Sequence, residues 1–376
     1  MNKHILIISL YSHNLGNPQP IYLAKQLSLN GNQVTFVAPF SEQMSTSLRA
    51  SNINAITSPE WTFPIRKSWL PLLISRIILK RINKIDLAIG IDQVASQASW
   101  ILYKSGCIPR YGCYLLELWS RTILYEKNSF QSNLNAKVWR EASFFVHAND
   151  LRKEYFMKQT GLVSLKHFVI QNAPLLDWPT KYTDPVLQET LRLSYIGTVN
   201  RPNGLHYIIP AIADCNEPVH LDITGSLVEP YTSELRDEIY RMNLNQNIRI
   251  SEAIPREMLQ VNIGNADVSI AFYPWKSINP DINFALCAPN KVFESLAVGR
   301  PVLASDNPSM MFLSNERCGW NVDVENQNSL LGCLKEICIN REEVITRARN
   351  ARRLFEENLN FESQSKDFID FINEFH

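Results

Sequence analysis

The chain has 376 residues, 45% of them hydrophobic, with 37 Lys+Arg balanced by 37 Asp+Glu. That length suits two domains of roughly 150 to 200 residues rather than one core, and a neutral chain without a basic and aromatic reading motif argues against a nucleic-acid partner. Seven cysteines form no C-x-x-C pair and no two of the seven histidines lie three or four residues apart, so no disulfide frame, zinc site or other metal is expected and the thiols point to a reducing, cytoplasmic setting.

In chain order, His4 to Leu10 reads as a first buried strand, too short for a signal peptide. Pro20 to Leu29 reads as a helix closed by Gly31, and Gln33 to Ala38 as a second strand. Neutrality hides an asymmetry: residues 1–175 carry 19 basic against 9 acidic side chains, and residues 176–376 carry 18 against 28. Within the first half, residues 61–85 hold Arg66, Lys67, Arg76, Lys80, Arg81 and Lys84 and no acid, interleaved with leucines and isoleucines. That composition fits a helix lying on an anionic membrane surface, and fits equally a core-packed helix with a solvated basic face. No run of some twenty apolar residues is present.

Further strands are expected at Leu87 to Ile91, Gly112 to Leu116 and Phe144 to Ala148, and a Pro- and Asn-rich linker at Gln171 to Pro185. Beyond it, strands at Leu191 to Ile196, His220 to Ile223, Asn247 to Ile250, Val268 to Phe272 and Pro301 to Ala304 alternate with helices at about Leu205 to Ala213, Thr232 to Met242, Pro255 to Asn262 and Ser329 to Ile339. Arg341 to Asn358 and Ser363 to Phe375 read as terminal helices, the last with Phe368, Ile369, Ile372 and Phe375 on one stripe. Alternation of this kind predicts two α/β domains, each a doubly wound parallel sheet with ligands beyond the carboxyl ends of its strands.

One stretch carries chemistry. Pro289 opens an apolar-faced helix that Gly299 closes, and a strand follows at once. Lys291 and Glu294 share a face of that helix. Its first turn and Lys291 suit a phosphate, and Glu294 can accept two hydrogen bonds from a vicinal diol such as a ribose. An ordinary surface i,i+3 pair is the bland alternative. No G-x-G-x-x-G follows a predicted strand, which disfavours a dinucleotide enzyme, and no G-x-x-x-x-G-K-[ST] is present, which disfavours a P-loop phosphotransferase.

The residues resemble the GT-B glycosyltransferases of group 1, which use sugar nucleotides. The segment 192–212, RLSYIGTVNRPNGLHYIIPAI, is similar to the opening strand, glycine turn and first helix of that family's donor domain. VHLDITGS (219–226) is similar to its second strand, residues 248–274 to the segment that cradles the nucleobase, and APNKVFESLAVGRPVLAS (288–305) to the segment that holds diphosphate and ribose. The resemblance implies two Rossmann-like domains facing a cleft. Residues 1–173 form the acceptor side and 174–358 the nucleotide-sugar donor side, with a terminal helix, 359–376, packed back on the first domain.

It also implies roles. Glu294 takes the ribose hydroxyls, Lys291 and the backbone near Asn290 the diphosphate, Arg201 a second phosphate contact near Gly197, and the backbone around Ile254 the base. On the first domain, Gly16 belongs to a donor loop, and Glu117, at the end of a predicted strand, is the candidate general base; His147 and His13 are weaker candidates there. No cofactor or metal is implied, since the sugar nucleotide is itself the donor substrate. The implied acceptor is a carbohydrate or a lipid-linked molecule in surface polysaccharide or glycoconjugate synthesis, on the cytoplasmic side of a membrane. The sequence departs from the family at Leu286, where many relatives carry a glutamate eight residues before the ribose-binding one, and at Gly16, which stands where relatives have a glycine pair. A nucleotide-sugar epimerase of the same architecture, or a non-catalytic partner subunit wearing it, are the alternative readings.

Overall fold

The computed structural model describes residues 2–9, 17–58, 84–117, 130–178, 182–276 and 282–375. The chain divides into two compact units, Met1–Asn172 with Phe361–His376, and Ala173–Asn360. Gly16, His13 and nearly all of the basic run 61–85 lie outside the described residues.

In the first unit the described strands are β1 (His4–Ile8), β2 (Gln33–Ala38), β3 (Ile53–Thr57), β4 (Leu87–Ile91), β5 (Tyr111–Leu115), β6 (Phe144–His147) and β7 (Lys166–Val169). They pair in parallel in the order β3-β2-β1-β4-β5-β6-β7. Ile5, Leu6, Ile7 and Ile8 are all fully buried, as expected for a central parallel strand covered on both faces, where an unbroken apolar run replaces alternation. The order reverses between β1 and β4. Such a reversal opens a crevice at the carboxyl ends of the strands.

The helix Phe361–Glu374 completes this unit. Its residues Phe368, Ile369 and Ile372 are buried, each contributing about 1.5 to 3 kcal/mol of apolar burial. Phe368 meets Phe144 edge-on at 5.2 Å between ring centroids and Phe168 at 5.2 Å. Phe144 in turn needs a glycine beneath it, because a Cβ on Gly112 would lie 2.1 Å from its ring. Lys3 closes the helix by donating from Nζ to the carbonyl of Asn373 at 2.8 Å, a cation at the negative end of the helix dipole.

In the second unit β8 (Leu191–Ile196), β9 (Val219–Gly225), β10 (Ile248–Glu252), β11 (Val268–Ala271), β12 (Val302–Ser305) and β13 (Gly319–Val322) form a parallel sheet in the order β10-β9-β8-β11-β12-β13. The winding repeats that of the first sheet, and the order reverses between β8 and β11. The open edge at β13 is blunted by neighbours. Arg347 donates to the Gly319 carbonyl, and the backbone N–H of Asn321 donates to Ser314 Oγ at 2.9 Å.

Three strands were not predicted: β3, β7 and β13. They are short outer strands, and β7 (KHFV) has no fully buried residue. The predicted helix from Leu205 to Ala213 is interrupted as well. Two 3₁₀ turns, Arg201–Asn203 and Leu205–Tyr207, flank Gly204, whose φ of +64° cannot belong to a helix, and the α-helix begins at Ile208.

Candidate nucleotide site in the second unit

The site is built where β8 and β11 part. At the end of β8 the chain turns on Gly197, which has φ +144° and donates its N–H to the Thr224 carbonyl at 3.0 Å. Asn203 Nδ2 ties the following loop by donating to the Thr198 carbonyl at 2.7 Å. A Cβ on Gly197 would sit 2.8 Å from Lys291 Nζ, and one on Gly225, at the end of β9, would sit 1.6 Å from the Gly197 carbonyl oxygen. Gly225 is therefore required by close approach of backbone, and Gly197 by its positive φ. One lets β9 come against the turn, and the other lets the lysine come against it.

Lys291 and Asn290 lie in the first turn of the helix Asn290–Ala297, opened by Pro289 with φ −79° and ψ 121°. From there the Lys291 ammonium reaches over the ring of Tyr195 at 4.0 Å from its centroid and that of Tyr273 at 5.3 Å. Tyr195 is fully buried and donates its hydroxyl to the Thr198 carbonyl at 2.7 Å. Desolvation pushes the Lys291 ammonium down to about 7, against a smaller opposing pull from Cys287 and Glu294. Two ring faces hold this cation next to the glycine turn.

Glu294 lies one turn further and is 5% exposed. Its Oε1 accepts from Arg256 at 2.8 Å. Arg256 opens the helix Arg256–Gly264, directly after the turn that carries the half-buried Ile254, and its guanidinium lies 5.7 Å from the Trp178 ring. Lys291, Glu294, Gly197 and Ile254 thus all lie on turns or helix starts beyond the carboxyl ends of β8, β10 and β11. Arg201 is exposed, paired with Glu234 and resting 5.3 Å over Tyr231.

In the first unit, Glu117 follows β5 and is half-exposed. Its carboxylate pairs with Arg152 at 3.4 Å. The same arginine is 4% exposed and donates to the Leu116 carbonyl. On the other side of this peptide, Asp92 Oδ1 accepts the N–H groups of Leu116 at 2.8 Å and Glu117 at 3.1 Å. Asp92 has φ +59° and is 4% exposed, and burial pushes its carboxyl up to about 7 despite those bonds. His147 is a core residue. Its Nε2 lies 3.0 Å from Nδ1 of His167, and burial lowers it to about 3.

Arg256, Asp92 and the two tyrosines under Lys291 escaped the sequence reading. Only Tyr195, on a strand running into a glycine turn, carried a local signal. Among the described residues, no three His, Cys, Asp or Glu side chains are grouped so as to hold a metal ion, and no helix is long and apolar enough to cross a membrane.

Two doubly wound parallel sheets, each in its own compact unit, define the class of two-domain Rossmann-like α/β folds. No protein-family model and no curated protein matches the sequence. Solved structures do. The chain is similar to HepE from Anabaena in complex with UDP-glucose, with a TM-score of 0.74 and 15% identity over 99% of this chain and 100% of that one. It is similar to the sucrose-phosphate synthase of Thermosynechococcus elongatus, with a TM-score of 0.73 and 15% identity over 99% of both. A third likeness is to WaaG, a glycosyltransferase involved in lipopolysaccharide biosynthesis, with a TM-score of 0.67 and 12% identity over 98% of this chain and 99% of that one. The chain has the GT-B fold of the group 1 glycosyltransferases.

Proposed function

We propose that the protein is a glycosyltransferase that moves a sugar from a nucleoside-diphosphate sugar to a carbohydrate or lipid-linked acceptor in surface polysaccharide or glycoconjugate synthesis. The observation that carries the reading is the half-buried Lys291, its ammonium over the Tyr195 ring and against the Gly197 turn, one helical turn from the buried Glu294. In this reading Lys291 and the start of its helix take the diphosphate, Glu294 the ribose diol, and the backbone near Ile254 the base. Glycosyl transfer develops positive charge on the sugar and negative charge on the departing diphosphate, and Lys291 is placed to stabilise the latter. An inverting reaction needs a base for the acceptor hydroxyl, and Glu117, held by Arg152, is the residue we assign to it. Likeness of UDP-glucose-binding HepE to this chain favours a uridine donor.

The test is calorimetry against UDP, GDP, ADP and CMP, followed by turnover of the corresponding sugar conjugates. Glu294→Ala should weaken binding of the selected diphosphate by about 1 to 3 kcal/mol, the range for lost charged hydrogen bonds. Unchanged affinity in a folded variant removes Glu294 from the ribose. None of the seven cysteines is joined in a disulfide, and we extend the proposal to a cytoplasmic location and to association with the inner face of a membrane through residues 61–85. The protein should then pellet with anionic vesicles at low salt and release at high salt, less so once Arg76, Lys80 and Arg81 are neutralised. Failure of the unmodified protein to pellet rejects the extension.

A further inference from the structure

We infer that Arg256 is a positioning residue for ribose recognition, holding the Glu294 carboxylate so that its remaining acceptor sites face a diol; the inference rests on the donor-site reading above. A carboxylate has about four acceptor positions. Arg256 fills one of them, on Oε1 at 2.8 Å, which leaves both oxygens able to accept a hydroxyl.

The surroundings explain why the arginine is needed. Glu294 is nearly removed from water, and a carboxylate there is costly unless a cation pairs with it. Lys291 does not serve, since its ammonium is turned onto Tyr195 and Tyr273. Arg256 supplies the charge from a different helix, thirty-eight residues earlier in the chain. Its own orientation is constrained at both ends. The backbone is the first residue of Arg256–Gly264, and the guanidinium rests near Trp178. Because that helix starts two residues after Ile254, the arginine connects the turn assigned to the base with the carboxylate assigned to the sugar. A planar, fixed fork suits this better than a lysine ammonium.

The test compares UDP and GDP with their 2′,3′-dideoxy counterparts, and with inorganic pyrophosphate, on the full chain and its variants. The unmodified protein should prefer one ribonucleotide over its dideoxy form, and Glu294→Gln should erase that preference. Arg256→Ala should reduce it by about three- to tenfold, as expected for a misplaced charged hydrogen bond. Its affinity for pyrophosphate should stay within about twofold, and Arg256→Lys should recover part of the preference. If Glu294→Gln loses the preference while Arg256→Ala keeps it, the role of Arg256 is wrong and the donor site stands. If Arg256→Ala loses pyrophosphate binding equally, the arginine is merely structural and the inference falls. A preference that survives Glu294→Gln, or an unmodified protein that binds neither diphosphate, overturns the ribose assignment and this inference with it.

Discussion

Lys291→Ala is expected to lower the affinity for the selected nucleoside diphosphate by about 10- to 100-fold at pH 6.5, the loss of a charge-assisted contact in a desolvated site. The pH dependence makes the prediction sharper. In the unliganded protein burial brings the ammonium down to about 7, so above that pH the site is increasingly neutral and must take up a proton to bind an anion. A bound diphosphate raises the ammonium again. Affinity should therefore fall by about tenfold per pH unit between pH 7.5 and 9, a range in which the terminal phosphate is already fully ionised. The fall should vanish in Lys291→Ala. A slope that persists in the variant assigns the proton to another group and removes Lys291 from the diphosphate.

Gly225→Ala is expected to be the most damaging single-methyl change in the second unit. The added carbon would lie 1.6 Å from the Gly197 carbonyl oxygen, and what it meets is backbone, which cannot rotate aside. The ends of β8 and β9 would have to separate, at about 3 kcal/mol or more, which for a unit of this size lowers Tm by roughly 6 to 12 °C. Nucleotide binding should fail together with stability, because the displaced turn is the one against which Lys291 rests. A variant with unchanged Tm would show that the turn yields more easily than its packing implies. By contrast, Gly332 has open space around its Cβ position, and alanine there serves as the control.

How much of this was legible beforehand depended on how local each signal is. The central strands announced themselves as apolar runs, since Ile5–Ile8 and Val268–Ala271 are buried on both faces. Lys291 and Glu294 stood out as candidates because a proline, a three-residue spacing and a closing glycine all lie within eleven residues. β7 was missed because an outer strand of four residues containing Lys166 and His167 resembles a loop. Arg256 and Asp92 were missed for another reason. A lone arginine after a proline and a lone aspartate after a strand look ordinary. Their meaning comes from Glu294 and from the Leu116–Glu117 peptide, 38 and 24 or more residues away. Long-range pairing of this kind leaves no periodicity to read.

The helix Phe361–Glu374 belongs to the first unit although all of the second unit precedes it in the chain. During synthesis, then, the first sheet emerges early but waits. Until residues 361–376 leave the ribosome, Phe144 and Phe168 lack their contacts with Phe368, while Ala173–Asn360 is already a continuous segment. Maturation should run from the middle of the polypeptide outward, with the second unit free to close before the first is sealed.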